Sequence, residues 1–324
     1  MNPENTKIDP EMPFRLTEED KKNICILLPV LNEEAAIGPV IKEFRDMGFP
    51  NILVMDGNSR DRTREVSEEA GARVLVQSGK GKGQAMIEAF SLIQEKYIVM
   101  LDGDGTNPPS QVDMVMEPII KGKADHVIGN RLEKRHPGAF TKLNYFGNRM
   151  MNRFYRFGFR SDIRDTLTGY HAFTTESVRE LNLTQHGFVI ETEMIAECHM
   201  KQQRIAEVNT DYYPREIEVK TKLNPIVDGG RIILAIFRYS KYYNPRFYFG
   251  IWGLLALALS VFTGLIHCLA GAAGLAAFWS SHSVYAASFF LLAAFLLFLT
   301  GAAKDVDAIL YRETYQDLRK MKKE

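Results

Sequence analysis

The chain has 324 residues, room for one large α/β domain and an appendage. Lys plus Arg and Asp plus Glu both number 40, so the formal net charge is zero, and charged residues make up 25% of the chain. A neutral balance lacks the basic excess of a dedicated nucleic-acid binder, so no nucleic-acid partner is expected.

Residues 1–22 are polar and acidic, with Pro3, Pro10 and Pro13 and no apolar stretch behind a basic start. They read as an N-terminal extension, loosely packed or disordered, and not as a secretory leader. From residue 23, strand and helix signals alternate. Apolar runs at 23–28, 51–56, 73–77, 97–102 and 124–128 read as strands. Helical patterns at 33–47, 62–70, 83–94 and 112–121 lie between them, with Asp61 near the cap of the second. Such alternation predicts an α/β fold, a doubly wound and mostly parallel sheet with helices on both faces. The catalytic domain is expected over 23–225, with its site at the carboxyl ends of the strands.

The residues that end the strands point to chemistry. The first run leads into Pro29-Val30-Leu31-Asn32-Glu33, the second into Asp56-Gly57-Asn58-Ser59, and the fourth into Asp102-Gly103-Asp104. Three acid or amide clusters on one edge are more than helix capping requires. Asp102 and Asp104 follow the apolar strand directly. One residue apart around Gly103, both can reach one hard cation, Mg²⁺ or Mn²⁺, which would neutralise a diphosphate leaving group. The loop Gly79-Lys80-Gly81-Lys82-Gly83 opens a helix, and its glycines and the helix N-terminus favour an anion. It lacks the Gly-Lys-Ser/Thr order of a Walker loop. No G-x-G-x-x-G follows the first strand, which sets aside a nicotinamide-dependent dehydrogenase.

Cys25, Cys198 and Cys268 have no metal-ligand spacing and read as reduced thiols. The histidines show none either; His171, just past Thr168-Gly169-Tyr170, reads as structural, with substrate contact as the alternative.

Near the C-terminus, Ile232, Ile233, Ile236 and Phe237 fall at helical spacing beside Arg231, Arg238 and Lys241. The region 226–246 therefore reads as an amphipathic helix in the membrane surface, the alternative being an ordinary surface helix. From 247 to 303 there is no Asp, Glu, Lys or Arg. That length holds two transmembrane helices, at 247–269 and 284–303, joined by a short turn near Trp279. A buried hairpin of a soluble protein would need a polar face that these helices lack. Basic residues flank the pair on both sides, Arg231 to Arg246 before and Lys304 to Lys323 after. Both ends, and the catalytic domain, are then expected on the cytoplasmic face of the cell membrane. Residues 304–324 read as a C-terminal helix that lies on the membrane or mediates assembly into a homo-oligomer.

In order, Pro29-Val-Leu-Asn-Glu-Glu34, Asp56-Gly-Asn-Ser-Arg-Asp-Arg-Thr63, Lys80-Gly-Lys-Gly83, Asp102-Gly-Asp104 with Pro108-Pro109, Gly129-Asn-Arg131 and Asp165-Thr-Leu-Thr-Gly169 resemble the inverting family 2 glycosyltransferases of the GT-A fold. Within that family the layout is similar to dolichyl-phosphate mannose synthase and to archaeal dolichyl-phosphate hexose synthases of N-glycosylation. The resemblance implies transfer of a hexose or N-acetylhexosamine from a nucleotide-sugar, with UDP favoured and GDP-mannose as alternative. The implied acceptor is a dolichyl or polyprenyl phosphate held in membrane lipid. It implies that Pro29, Leu31, Glu33 and Asp56 line the nucleoside pocket, with Lys82 near the base. Asp102, Gly103 and Asp104 would meet the metal and diphosphate, and Arg131 the acceptor phosphate. Lys142 and Arg149 are further acceptor-phosphate candidates. Asp165 and Thr168-Gly169 would stand beside the donor sugar, Glu191 or Glu193 near it, and Arg215, Lys220 and Lys222 would close over the phosphates. Mannose synthases tend to carry Gln where this chain has Thr106, which leaves the third metal ligand open.

A phosphate acceptor is already anionic and needs no general base. The task is then to bring two anions together, with the metal, Arg131, Arg215 and Lys222 supplying positive charge. Two alternatives stand beside this reading. One is a glycan hydroxyl acceptor with Glu193 or Asp165 as base; the other is a non-catalytic membrane-tethered nucleotide-sugar binder.

Overall fold

The computed structural model describes residues 14–215, 227–272 and 276–321. In chain order they form α1 (Glu18–Lys22), β1 (Ile24–Val30), α2 (Glu34–Asp46), β2 (Asn51–Asp56), α3 (Thr63–Glu69), β3 (Arg73–Val76), α4 (Lys82–Leu92), β4 (Tyr97–Met100) and α5 (Val112–Ile120). Then come β5 (His126–Arg135), α6 (Lys142–Phe159), β6 (His171–Thr174), α7 (Thr175–Arg179), α8 (Ile190–Met200), β7 (Ile205–Tyr212), α9 (Val227–Tyr243), α10 (Pro245–Ala272) and α11 (Ala276–Met321). They divide into two compact units. The first holds the described residues up to Thr141, Thr168–Glu180 and those from Arg204 to Arg215; the second holds Lys142–Leu167, Leu181–Gln203 and the described residues beyond 226.

The first unit is built on one seven-stranded sheet in the order β3-β2-β1-β4-β6-β5-β7. β6 runs antiparallel to both its neighbours, β4 and β5, while the other pairings are parallel. The expected mostly parallel α/β sheet is therefore present. β1 lies inside it, between β2 and β4, and is buried along its whole length, because a parallel strand covered on both faces has no wet side. Ile24, Ile26, Leu28 and Val30 of β1 share one core with Ile37, Val40, Ile41 and Phe44 of α2 and with Val112, Val115 and Met116 of α5. The spacing of the α2 residues places them on a single helical face. Phe44 meets Phe49 edge-on, ring centroids 5.6 Å apart.

The start of the chain is more integrated than its composition suggests. Leu16 is buried in the core with Phe14 packed on it, and Thr17 and Asp20 form a reciprocal capping box on α1. Arg15 pairs with Asp113 at 3.1 Å. Two apolar side chains and a cap thus fix residues 14–22, which the polar composition concealed. Residues 1–13 lie outside the described residues.

In the second unit α9 packs on α6 and α8. Ile232, Ala235, Ile236 and Ser240 are buried, while Leu234, Arg238, Lys241 and Tyr242 face outward. Half of the apolar residues expected to face lipid, Ile232 and Ile236, are thus used to pack against protein. α6 carries the larger unpartnered face. Leu143, Phe146, Met150 and Phe157 stand exposed along one stripe, beside exposed Lys142, Arg149, Arg153 and Arg156, with no acid on the helix. On its other edge, Phe154 contacts Phe247 of α10 at 5.5 Å.

α10 and α11 pair as a hairpin. Pro245–Leu269 and His282–Thr314 are each long and apolar enough to cross a membrane. Gly253 admits the Phe298 ring, and Ser260 Oγ donates to the Ala287 carbonyl at 2.8 Å. Leu254, Leu255, Val261, Phe262, Phe289, Leu292 and Phe295 point outward, unlike the helices of a buried soluble hairpin. α11 continues unbroken to Met321, so the expected separate C-terminal helix is the same rod as the second apolar segment. Where it becomes charged, Asp305 is 1% exposed and lies 2.9 Å from Arg246 Nε and 3.4 Å from Arg160 Nη2.

Candidate active site

Parallel strands end on one edge, and the strand-end motifs meet there. Val30 lies in register with Asp56, and the Gly57 amide donates to the Val30 carbonyl at 2.7 Å. The two loops that follow are stitched together. The amide of Asn32 donates to Ser59 Oγ at 2.8 Å, and Asn32 Oδ1 accepts the Arg60 amide at 2.8 Å. Asn32 and Asn58 adopt left-handed backbone, φ 49° and 67°, which asparagine tolerates better than most side chains. Asp56 is fully buried; its carboxylate accepts the Ser59 amide at 3.0 Å and lies 3.5 Å from Arg64 Nε. Pro29 is buried within β1, Leu31 stands exposed on the rim, and Glu33 is 8% exposed. These residues gather at the carboxyl ends of β1 and β2.

Asp102 and Asp104 follow β4. Gly103 between them has no room for a side chain: a Cβ there would come within 2.6 Å of Val30 and 2.8 Å of Ile37. A Cβ on Gly169 would collide with the Asp102 carboxylate itself. Each acid is met by a cation from a different element. Lys82 Nζ, in the first turn of α4, is 2.5 Å from Asp102 Oδ1. Arg215 Nη2 is 2.6 Å from Asp104 Oδ2, and its Nη1 is 4.0 Å from Glu33. Burial would raise the Asp102 pKa, but Lys82, then Arg131 and Arg215, together hold it below the ordinary carboxylate value. Asp104 Oδ1 accepts from the Thr106 hydroxyl at 2.6 Å and the Thr106 amide at 3.1 Å. Lys82, expected beside the base, is thus found on the first acid, and Thr106 supports the second.

Arg131, 7% exposed, stacks over Tyr212 and Phe140 with its guanidinium carbon 5.1 and 5.7 Å from the ring centroids. The faces of aromatic rings attract a guanidinium and help to fix its position. Burial, Asp104 and Asp102 outweigh the opposing pull of Arg131 and raise the pKa of Tyr212. Sequence reasoning missed Tyr212. Its only signal is position, at the end of β7 three residues before Arg215.

Asp165 and Glu193 belong to the second unit. Asp165 is fully buried, and its Oδ1 accepts the Leu167 amide at 3.3 Å. Glu193 is also fully buried. Its oxygens accept the Thr184 hydroxyl (2.7 Å), the Thr184 and Gln185 amides (3.0 and 2.9 Å) and the Tyr239 hydroxyl (2.5 Å). Those bonds take up the lone pairs that a general base would offer to a substrate. Lys142 and Arg149 lie exposed on α6 in the same unit, and Glu191 is buried on α8. Lys220 and Lys222 lie outside the described residues.

The donor set suits a hard divalent cation. Asp102 and Asp104 offer carboxylate oxygens on one loop, Gly103 and Gly169 leave that loop bare, and the buried Asn107 Oδ1 next to Thr106 has no hydrogen-bond partner. Among the described residues no cluster of three or more His, Cys, Asp or Glu forms a complete cage. Mg²⁺ and Mn²⁺ are commonly held by one or two carboxylates plus substrate phosphates, which is what this loop can offer.

Known proteins resemble this chain in sequence and in fold. The sequence model of glycosyl transferase family 2 matches residues 25–181. Glycosyltransferase AglJ of Haloferax volcanii is 49% identical over 236 residues, 72% of this chain and 78% of that protein. A dolichyl-phosphate hexose transferase of the same organism is 31% identical over 221 residues, 67% of this chain and 93% of that one. Among solved structures, glucosyl-3-phosphoglycerate synthase of Mycobacterium tuberculosis, in complex with Mn²⁺ and UDP-glucose, superposes with a TM-score of 0.56 at 20% identity. That match covers 70% of this chain and 83% of the other and speaks to the fold. Nearly half of all aligned positions shared with one transferase, across most of both chains, leave one assignment: this chain belongs to glycosyl transferase family 2.

Proposed function

We propose that the protein transfers a hexose or N-acetylhexosamine from a nucleotide-sugar, a UDP-sugar foremost, to a dolichyl or polyprenyl phosphate. The observation that carries this reading is the pair of carboxylates after β4, each met by a cation from another element. Such a site is arranged to exchange protein cations for a metal and a diphosphate. A bound Mg²⁺ or Mn²⁺ would supply charge neutralisation on the leaving diphosphate. Asp102 and Asp104 would hold it, with Thr106 and Asn107 next to them as further oxygen donors. Lys82 and Arg215, released from the acids, would then face phosphate oxygens. Arg131, over the rings of Tyr212 and Phe140, is suited to the acceptor phosphate.

The acceptor phosphate oxygen attacks the anomeric carbon of the donor. The bond from that carbon to the diphosphate oxygen breaks as the new one forms, the nucleoside diphosphate leaves with the electron pair, and the anomeric configuration inverts. No proton needs to be removed, which agrees with a Glu193 fully engaged elsewhere. The dolichyl-phosphate hexose transferase of Haloferax volcanii supports a lipid-linked acceptor by its name. Two membrane-crossing helices would keep the protein beside such a lipid, with α6 lying in the headgroup layer. Basic residues before the first apolar segment and after the second support a cytoplasmic face for the catalytic domain.

The test is an extraction assay. Full-length protein in detergent is mixed with Mg²⁺ or Mn²⁺, dolichyl phosphate and a panel of radiolabelled UDP- and GDP-sugars, and label is counted in the organic phase. Label from one donor is the expected result and identifies the sugar. No label from any donor, with folded protein, would overturn the lipid-phosphate acceptor and turn the search to glycan hydroxyl acceptors or to binding without turnover.

A further inference from the structure

A pair of fully buried histidines lies behind the carboxylate loop. His126 Nε2 is 2.9 Å from His171 Nδ1, and His171 Nε2 is 2.9 Å from the carbonyl oxygen of Thr168. A carbonyl only accepts, so His171 Nε2 carries the hydrogen and donates to Thr168. In the neutral ring Nδ1 is then the acceptor, and His126 Nε2 donates to it. The chain of bonds runs His126 to His171 to the Thr168 carbonyl. His126 is itself fixed by stacking on Phe173, ring centroids 4.2 Å apart.

The turn that this relay holds is the one that touches Asp102. The Tyr170 amide donates to Thr168 Oγ1 at 3.1 Å, and the Tyr170 carbonyl accepts from the Gly129 amide at 2.9 Å. Between Thr168 and Tyr170 stands Gly169, whose backbone lies so close to Asp102 that any side chain would strike the carboxylate. On its other side Asp102 meets Lys82. The carboxylate is therefore held between a glycine backbone and an ammonium group. The glycine side is backbone, and the bond from His171 to the Thr168 carbonyl is the side-chain contact that reaches this turn from behind.

We propose that His126 and His171 form a positioning pair, fixing the Thr168–Tyr170 turn so that Gly169 keeps the Asp102 carboxylate in its metal-binding orientation. Neither ring touches substrate or metal. They act as outer-shell groups, whose loss typically weakens a metal site by ten- to a hundredfold. The inference rests on the reading of Asp102 as a metal ligand given under Proposed function.

The experiment is a Mn²⁺ titration of the full-length protein in detergent, with no nucleotide, in which free Mn²⁺ is read by electron paramagnetic resonance. Wild type and Asp102→Asn set the frame, and thermal melting checks that each variant is folded. His171→Leu removes the donor and is expected to weaken Mn²⁺ binding by about tenfold. His171→Gln, whose amide nitrogen can stand where Nε2 stands, is expected to stay near wild type. Gly169→Ala, which presses on the carboxylate directly, is expected to reproduce the loss. Folded His171→Leu with wild-type affinity would overturn the pair's role and leave the metal reading standing. Should the leucine variant not fold, His171→Asn takes its place, being one carbon too short to reach. Equal affinities of the Asn and Gln variants would then sink the inference. Wild type that does not bind Mn²⁺, or Asp102→Asn that binds it equally, would overturn the metal reading and this inference with it.

Discussion

At the scale of single residues, neighbours decide what an acid can do. Glu193 and Asp102 are both carboxylates on the sequence's list of candidate groups, yet their surroundings differ. Four donors satisfy Glu193, all from its own unit. Asp102 faces Lys82 on the open edge of the sheet. Glu193→Met, of similar length but without an acceptor oxygen, would leave its four donors unmatched. A loss of roughly 1–3 kcal/mol is expected, the usual effect of leaving a buried polar group unmatched. Melting curves and turnover of the folded fraction check this. A stable variant with abolished turnover would restore Glu193 as a base. His199 gives a second prediction. Burial, among Tyr155, Phe159 and Tyr243, pushes its pKa down to about 4. The folded protein keeps this ring neutral while the unfolded chain protonates it below its ordinary value. Its contribution is therefore complete above about pH 6.5 and is lost as pH falls toward about 4. The thermal midpoint of wild type should drop further between pH 7.5 and pH 5 than that of His199→Gln. Equal drops would show that the ring is not held neutral.

At the scale of elements, the sequence was most readable where one period ruled. β1, β2 and β4 are apolar runs, and α2 shows one clean apolar face; each is found within a few residues of its expected place. β6 was not legible. Four residues are too few to carry a period, and composition does not encode strand direction. β5 runs on to Arg135, past its apolar part, because its polar end pairs with β7. The acid and amide clusters of the site were visible because parallel strands end together. The cations on them were not, since Lys82 and Arg215 arrive from elements 20 and 111 residues away from the acids they meet. The histidine pair was hidden for the same reason. α6 escaped notice because its apolar residues serve two faces, one inward and one outward, which blurs a single stripe. Its outward face gives a prediction. In lipid vesicles, with Cys268 removed, a spin label at Phe146→Cys should be reached more readily by oxygen than by a water-soluble nickel reagent. The reverse preference would place α6 away from the bilayer.

At the scale of the whole molecule, each unit is assembled from three separate stretches of chain. The boundary expected at residue 225 therefore does not separate the units. A truncated chain ending there keeps α6 and α8 and loses α9, which packs against both. Such a fragment should aggregate or lose α6 from the fold, seen as light scattering and reduced helix content. A monodisperse, stable fragment would show that α9 is dispensable. The same interleaving governs how the molecule is made. α6 and α8 leave the ribosome first, and Ile232 and Ile236, which α9 contributes to the second unit's core, are synthesised afterwards. At about 5–20 residues per second, the interval from the end of α6 to the end of α9 is on the order of ten seconds. During that time the faces of α6 and α8 meant for α9 lack their partner, and a helix with basic and apolar side chains is drawn to a nearby lipid surface. Completion of the second unit thus falls together with the emergence of the apolar hairpin, so that the bilayer insertion proposed above would be a step in the birth of the enzyme as well as its address.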